Sequence, residues 1–174
     1  MSDALERARP LRLMAFDVDG VLTDGTLYYT DAGAELKAFH TLDGLGLKLL
    51  QAAGVELALI SGRSSNAVAA RAANLGVARL FQGVDDKLSV FERIRGDLGL
   101  EARACGFMGD DLPDLPVLTR CGFAATVPEA PEAVRACAHY VSRTPGGRGA
   151  AREVCDLILR AQGSLDAAVA RYRA

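Results

Sequence analysis

The chain has 174 residues, close to the roughly 150 expected of one domain, so a sizeable single core is possible and a second domain has little room. Half the residues are hydrophobic and 24% are charged, which excludes a disordered or fibrous chain. With 20 basic and 22 acidic residues the net charge is −2, so no broad basic field is available for nucleic acid or an anionic membrane, and any bound anion needs a local constellation.

In chain order, Met1-Ser2-Asp3-Ala4-Leu5-Glu6-Arg7 lacks the apolar core of a signal peptide, and no later run is long enough to span a bilayer, so a cytoplasmic protein is expected. Short apolar runs then alternate with segments of helical period, the pattern of an α/β fold around a largely parallel sheet. Strands are predicted at about 12–17, 56–60, 79–82, 104–108, 122–126 and 139–142. Helices are predicted near 43–53, 64–75, 86–98, 114–120, 130–137 and 150–162. Leu45, Leu49 and Ala52 share a face of the first helix, and Ala67, Ala70, Ala73 and Asn74 predict a narrow face of the second that packs on the sheet. Between the first strand and the first helix, Gly20 to Thr41 is too long for an ordinary βα loop. It holds two short alternating runs around Thr30-Asp31-Ala32-Gly33-Ala34, which predicts a projecting β-hairpin over about 26–39. A tail of about 144–174 follows the last strand, and 1–174 is expected to form one domain. Cys105, Cys121, Cys137 and Cys155 have neither C-x-x-C spacing nor a histidine at ligand distance in sequence, and read as reduced thiols, mostly buried.

Chemistry concentrates at the predicted strand ends, where ligands bind in open parallel sheets. Phe16-Asp17-Val18-Asp19-Gly20-Val21-Leu22-Thr23-Asp24-Gly25 follows the first strand, and Gly109-Asp110-Asp111-Leu112-Pro113-Asp114 follows the fourth. Carboxylates so placed repel each other unless they share a cation; capping of the next helix explains one aspartate and not three. Asp17, Asp19 and Asp110 therefore form a candidate set of hard oxygen donors suited to Mg²⁺. Ser61-Gly62-Arg63 follows the second strand and is placed to hold a phosphate at a helix N-terminus, while Lys87 opens the next helix and is placed to neutralise phosphate and restrain a carboxylate.

D-x-D-G, Ser, Lys and G-D-D-x-x-D in this order resemble the four motifs of the haloacid dehalogenase superfamily. The resemblance implies a Rossmann-like fold in which Asp17 is the nucleophile that forms an aspartyl-phosphate, and Asp19 protonates the leaving oxygen and then activates water. It also implies that Ser61 and Lys87 bind the phosphoryl group and that Mg²⁺ sits among Asp17, the Asp19 main-chain carbonyl and Asp110. Beyond the motifs, Gly20 to Gly25, Glu35-Leu36-Lys37-Ala38-Phe39, Asp43-Gly44-Leu45-Gly46, Leu80-Phe81-Gln82-Gly83 and Gly146 to Glu153 are similar to the capless family of 3-deoxy-D-manno-octulosonate 8-phosphate (Kdo 8-phosphate) phosphatases, over about Arg12 to Gly163. That likeness implies release of Kdo and phosphate in lipopolysaccharide synthesis by a homotetramer whose hairpins meet at its centre. Its substrate contacts would fall on Asp19, His40, Thr41, Leu42, Asp43, Gly44, Lys48, Arg63, Arg71 and Lys87. Leu42 replaces a usual Arg and Lys48 a common one, which weakens the two-point grip on a carboxylate. A phosphatase for a nine-carbon sialic-acid-type phosphate is therefore the alternative substrate reading, and a phospho-accepting receiver domain the alternative from another class. A receiver, however, takes its phosphoryl group after the third strand and not the first.

Gly44-Leu45-Gly46 lacks the third glycine of a dinucleotide fingerprint. Gly146-Gly147-Arg148-Gly149 lacks the Lys-Ser/Thr of a phosphate loop, leaving a flexible link into the last helix or, by the resemblance, a tail reaching a neighbouring subunit's site.

Overall fold

A computed structural model describes residues 2–173. Six parallel strands form the central sheet in the order β5-β4-β1-β6-β7-β8: β1 (Leu13–Phe16), β4 (Glu56–Ile60), β5 (Arg79–Phe81), β6 (Cys105–Met108), β7 (Phe123–Thr126) and β8 (Tyr140–Val141). All residues of β1, β6 and β7 are buried, as expected of parallel strands covered on both faces by helices. The chain builds outward from β1 to β5 on one side and then crosses to β6 on the other. This reversal makes the carboxyl ends of β1, β4 and β6 the topological switch point.

Helices α2 (Thr41–Ala52), α3 (Asn66–Leu75), α4 (Lys87–Asp97), α5 (Leu115–Leu118), α6 (Glu132–Cys137) and α7 (Ala150–Ala161) connect and cover the strands. Phe16, Phe91, Phe107 and Phe123 are fully buried in the core, with the Phe91 and Phe107 rings edge-to-face at 6.1 Å. Along α7, Val154, Cys155, Leu157 and Ile158 are buried, and the helix packs on α2. A Cβ on Gly46 of α2 would lie 2.9 Å from Arg152 Cδ and 3.3 Å from Cys155 Cβ, so its glycine serves this close helix contact.

Several sequence expectations need correction. Helix α1 (Ser2–Ala8) was not predicted; Ala4 and Ala8, one turn apart, are buried and hold it against α7. A final helix α8 (Leu165–Ala170) also lies in what was read only as tail. The alanine face expected for α3 is not its packed one: Ala70, Ala73 and Asn74 are exposed, while Val68, Ala72 and Leu75 are its buried residues. In α2 the fully buried leucines are Leu47 and Leu50, and Ala52 is exposed. The hairpin exists, but its ladder is two residues long, β2 (Tyr28–Tyr29) against β3 (Glu35–Leu36). Nor is Gly146-Gly147 a free link, since the Gly147 N–H donates to Val21 O at 2.9 Å. All four cysteines are free, and Cys105, Cys121 and Cys155 are buried. No helix among the described residues is long and apolar enough to cross a membrane.

Candidate active site

Three consecutive strand ends of the sheet meet at a cleft of about 430 Å³, lined by Asp17, Asp19, Ser61, Arg63, Lys87 and Asp110 among others. Asp17 directly follows β1, and its own N–H still continues the ladder to Met108 O at 2.8 Å, which fixes the backbone from which the carboxylate projects. Asp17 Oδ1 accepts from the Val18 N–H at 2.7 Å, and Oδ2 pairs with Lys87 Nζ at 2.8 Å. The turn that follows leaves β1 tightly. At Gly20, with φ +84°, a Cβ would collide with Asp110 Oδ2 at 2.0 Å, so only glycine lets the two acidic loops touch. Buried Thr23 steadies this turn by accepting from the Gly25 N–H at 3.2 Å.

Ser61 is buried at the end of β4, and its hydroxyl accepts from the Arg63 N–H at 3.2 Å. Its placement corrects one expectation. Helix α3 begins only at Asn66, and the Ser65 N–H is taken by Gln82 Oε1 at 2.8 Å, so Ser61 and Gly62 offer a phosphate loop groups and not a helix N-terminus. Lys87 opens α4, whose N-cap Asp86 accepts from the Ser89 N–H at 3.0 Å.

Asp114 was not assigned a role from the sequence. It is fully buried: Oδ1 holds Lys87 Nζ at 2.7 Å, and Oδ2 accepts from the N–H groups of Asp110 at 2.9 Å and Asp111 at 3.2 Å. A 3₁₀ turn over Leu112–Asp114 folds it back to do so. The final Asp of G-D-D-x-x-D was the available signal. Lys37 was likewise missed: it pairs with Asp19 Oδ1 and, at 2.7 Å, with Glu35 Oε1. Its signal was the alternation of Glu35-Leu36-Lys37, which puts both charges on one face of the hairpin strand.

Asp17, Asp110 and Asp114 each offer an oxygen within 4.8 Å of the others. Burial, and then repulsion from Asp114, raise Asp17 to a pKa of about 7 despite Lys87. Burial with repulsion from Asp17 and Asp114 raises Asp110 to about 8. Burial opposes the charge on Lys87, but Asp17 and Asp114 together hold its pKa above the usual value. Asp110 Oδ1 and Asp19 Oδ2 are buried without a protein hydrogen-bond partner. Even with Lys87 and Lys37 beside it, this cluster of carboxylates is short of positive charge, and hard oxygens of this kind fit Mg²⁺. Asp17 and Asp110, which line the cleft beside Asp114, could hold such an ion. Both Asp114 oxygens are occupied by Lys87 and backbone N–H groups, and Asp19 Oδ1 is turned to Lys37.

Between about pH 4 and pH 8 the folded protein binds more protons than the unfolded chain, so stability falls as pH rises. In chelator the melting temperature is expected to drop across that window and level off above it, and Mg²⁺ to restore most of the loss. A flat profile in thermal melts would contradict the charge balance described.

The remaining sequence candidates do not reach this cleft within one chain. His40 caps α2, its Nδ1 accepting from the Leu42 N–H at 3.3 Å. Asp43 is buried and accepts from the N–H groups of Gly149 at 3.1 Å and Arg152 at 2.8 Å, fastening the start of α7. Arg71 stacks over Phe39, packs on Gly44 and donates to His40 O at 3.3 Å. Thr41 and Lys48 are exposed, and Leu42 borders a separate cavity with Arg143, Arg148, Arg152 and Arg160. Only Asp19, Arg63 and Lys87 of the substrate set line the cleft.

No family model matches the chain. It is 42% identical over 166 residues to the 3-deoxy-D-manno-octulosonate 8-phosphate phosphatase KdsC of Yersinia pestis, covering 95% of this chain and 89% of that one. Among solved structures, the 3-deoxy-D-manno-octulosonate 8-phosphate phosphatase of Moraxella catarrhalis, in complex with magnesium, phosphate and KDO, superposes with a TM-score of 0.97 at 45% identity, with 99% of each chain covered. A probable YrbI family phosphatase from Pseudomonas syringae superposes with a TM-score of 0.98 at 49% identity, covering 100% of this chain and 99% of the other.

Proposed function

The chain belongs to the 3-deoxy-D-manno-octulosonate 8-phosphate phosphatase family of the haloacid dehalogenase superfamily, and on that premise we propose that it hydrolyses Kdo 8-phosphate to Kdo and inorganic phosphate with Mg²⁺. The observation that carries the reading is the Asp17 carboxylate at the end of β1, held by Lys87 at 2.8 Å and facing the same cleft as Asp19 and Asp110.

Asp17 attacks phosphorus, the bond from phosphorus to the sugar oxygen breaks, and Asp19 delivers a proton to that oxygen. Water then attacks the aspartyl-phosphate and gives its proton to Asp19, which frees phosphate and regenerates Asp17. Lys87 and Ser61 grip the phosphoryl oxygens, and Lys87 also lowers the repulsion between one anion and another. Bound Mg²⁺, held by Asp17, Asp110 and the Asp19 carbonyl, supplies further charge neutralisation at the phosphoryl group. Arg63, 42% exposed at the mouth, is placed for the anionic end of a sugar acid.

The chain works as a homotetramer in the cytoplasm, making Kdo for lipopolysaccharide. This assembly is supported by the absence of an inserted cap among the described residues and by exposed Leu27, Tyr28 and Leu36 on the hairpin, an apolar face a neighbour would cover. His40, Thr41, Leu42, Lys48 and Arg71, which lie away from the chain's own cleft, would then serve a neighbouring one, whereas buried Asp43 and Gly44 shape that segment from beneath. A sedimentation mass of a single chain would refute the assembly.

Leu42 favours a second substrate reading, because it offers no grip on a carboxylate where Arg would. A panel of sugar-acid phosphates with Mg²⁺ decides: the highest kcat/KM is expected for Kdo 8-phosphate, and a clear preference for a nine-carbon sialic-acid-type phosphate would replace that substrate.

A further inference from the structure

Lys37 does not line the phosphoryl cleft, yet its side chain is only 2% exposed and its ammonium lies on the carboxylate at the centre of proton transfer. It arrives there from the hairpin. Glu35 and Lys37 leave one face of the strand while Leu36 between them points outward, 58% exposed. Glu35 binds Lys37 through Oε1 at 2.7 Å and Arg63 through Oε2 at 2.6 Å, and Arg63 also donates to the Tyr29 hydroxyl at 3.0 Å. The arm is thereby fastened to the loop after β4 at one end and to the loop after β1 at the other.

Only one oxygen of Asp19 is engaged. Oδ1 is held by Lys37, whereas Oδ2 is buried without a hydrogen-bond partner, on a residue that lines the cleft. Pinning the hairpin would need no more than the Glu35 and Arg63 pair. The Lys37 side chain is 2% exposed and that of Asp19 19%, so ordering this pair carries a partial desolvation cost that a defined geometry offsets. We propose that Lys37 is a positioning residue for the reaction: by holding Asp19 Oδ1 it leaves Oδ2 aligned to give and take the transferred proton, so the hairpin takes part in catalysis in its own chain.

The inference rests on the reading of Asp19 as acid and base, and the test separates the two. The full-length Lys37→Met protein is assayed with Mg²⁺ on Kdo 8-phosphate in the steady state. It is also assayed for the burst of p-nitrophenolate from p-nitrophenyl phosphate, whose leaving group departs without a proton. On the sugar phosphate kcat should fall about tenfold or more, part of what general acid–base catalysis contributes. KM should stay within about twofold, the pattern of an interaction made in the transition state. The burst rate should remain near wild type, Lys37→Arg should recover most of the lost kcat, and in an Asp19→Asn background Lys37→Met should cost nothing more. Where Lys37→Met does not fold, Lys37→Arg must show the same leaving-group dependence in smaller measure. An undiminished kcat beside a crippled Asp19→Asn enzyme overturns the proposal. So does a loss in the p-nitrophenolate burst as large as that in kcat on the sugar phosphate, or a loss that persists in the Asp19→Asn background. An Asp19→Asn protein with full activity refutes instead the acid–base reading itself.

Discussion

Asp17→Asn is expected to lower kcat by about 10⁴-fold or more, as loss of a covalent nucleophile does when binding groups remain. The amide nitrogen and oxygen of Asn occupy the same space but cannot open the phosphorus-oxygen bond, so no aspartyl-phosphate forms. The fold should not suffer. Asp17 is one of three carboxylates crowded within 4.8 Å, and burial with repulsion from Asp114 already pushes its pKa to about 7. Removing that charge relieves Asp110, whose pKa stands at about 8 for related reasons, burial first and then Asp17 and Asp114. In chelator at pH 8 the variant is therefore expected to melt at or above the wild-type temperature while its turnover is lost. Rates on Kdo 8-phosphate and thermal melts on the same preparation check both halves. Retained full activity on every phosphate would end the aspartyl-phosphate mechanism.

The residues of the cleft were legible because each strand announces itself by an apolar run and each acidic or hydroxyl group comes straight after one. A parallel sheet then does the assembling, since β1, β4 and β6 are neighbours and all end on the same side. Asp17, Ser61 and Asp110 needed no other information to be brought together. What stayed hidden depends on the chain turning back on itself. Asp114 reaches Lys87 because a 3₁₀ turn reverses the loop after β6, and Lys37 reaches Asp19 because the returning strand of the hairpin brings it back to the loop after β1. Neither reversal leaves a periodic trace. Asp43 carried a different difficulty. In sequence it reads as part of a substrate segment, but its carboxylate accepts the backbone N–H groups of Gly149 and Arg152, more than a hundred residues away. A buried side chain spent on a distant helix start looks the same, in one dimension, as one presented to a ligand.

Lys87→Met separates the two demands that meet at the centre of the cleft, charge balance and phosphate binding. The Lys87 side chain is 5% exposed and bridges Asp17 at 2.8 Å and Asp114 at 2.7 Å. Methionine fills much of the same apolar path but leaves both carboxylates uncompensated, and breaking a buried pair in this way costs about 3–5 kcal/mol. For a chain of this size that is a fall in melting temperature of about 10 °C. The loss should depend on pH. At about pH 4 and below, where Asp17 and Asp110 are protonated in the folded and increasingly in the unfolded protein, the variant should approach the wild type. Through the folded values of about 7 and 8 for Asp17 and Asp110 the gap should widen, because folding must then hold unpaired anions together or keep them protonated against the solvent. Saturating Mg²⁺ should close part of the gap by returning positive charge to Asp17 and Asp110. It should not return activity: without the ammonium on the phosphoryl oxygens, kcat is expected to fall about 10³-fold even in excess Mg²⁺. Lys87→Arg tests the shape of the cation. Its planar fork is too wide for the space between two carboxylates that grip a single nitrogen, so it should recover stability in part and activity hardly at all. A Lys87→Met protein that melts like the wild type at pH 8 in chelator would show that Asp114 and the backbone N–H groups alone hold the site together, and that Lys87 serves the phosphate only.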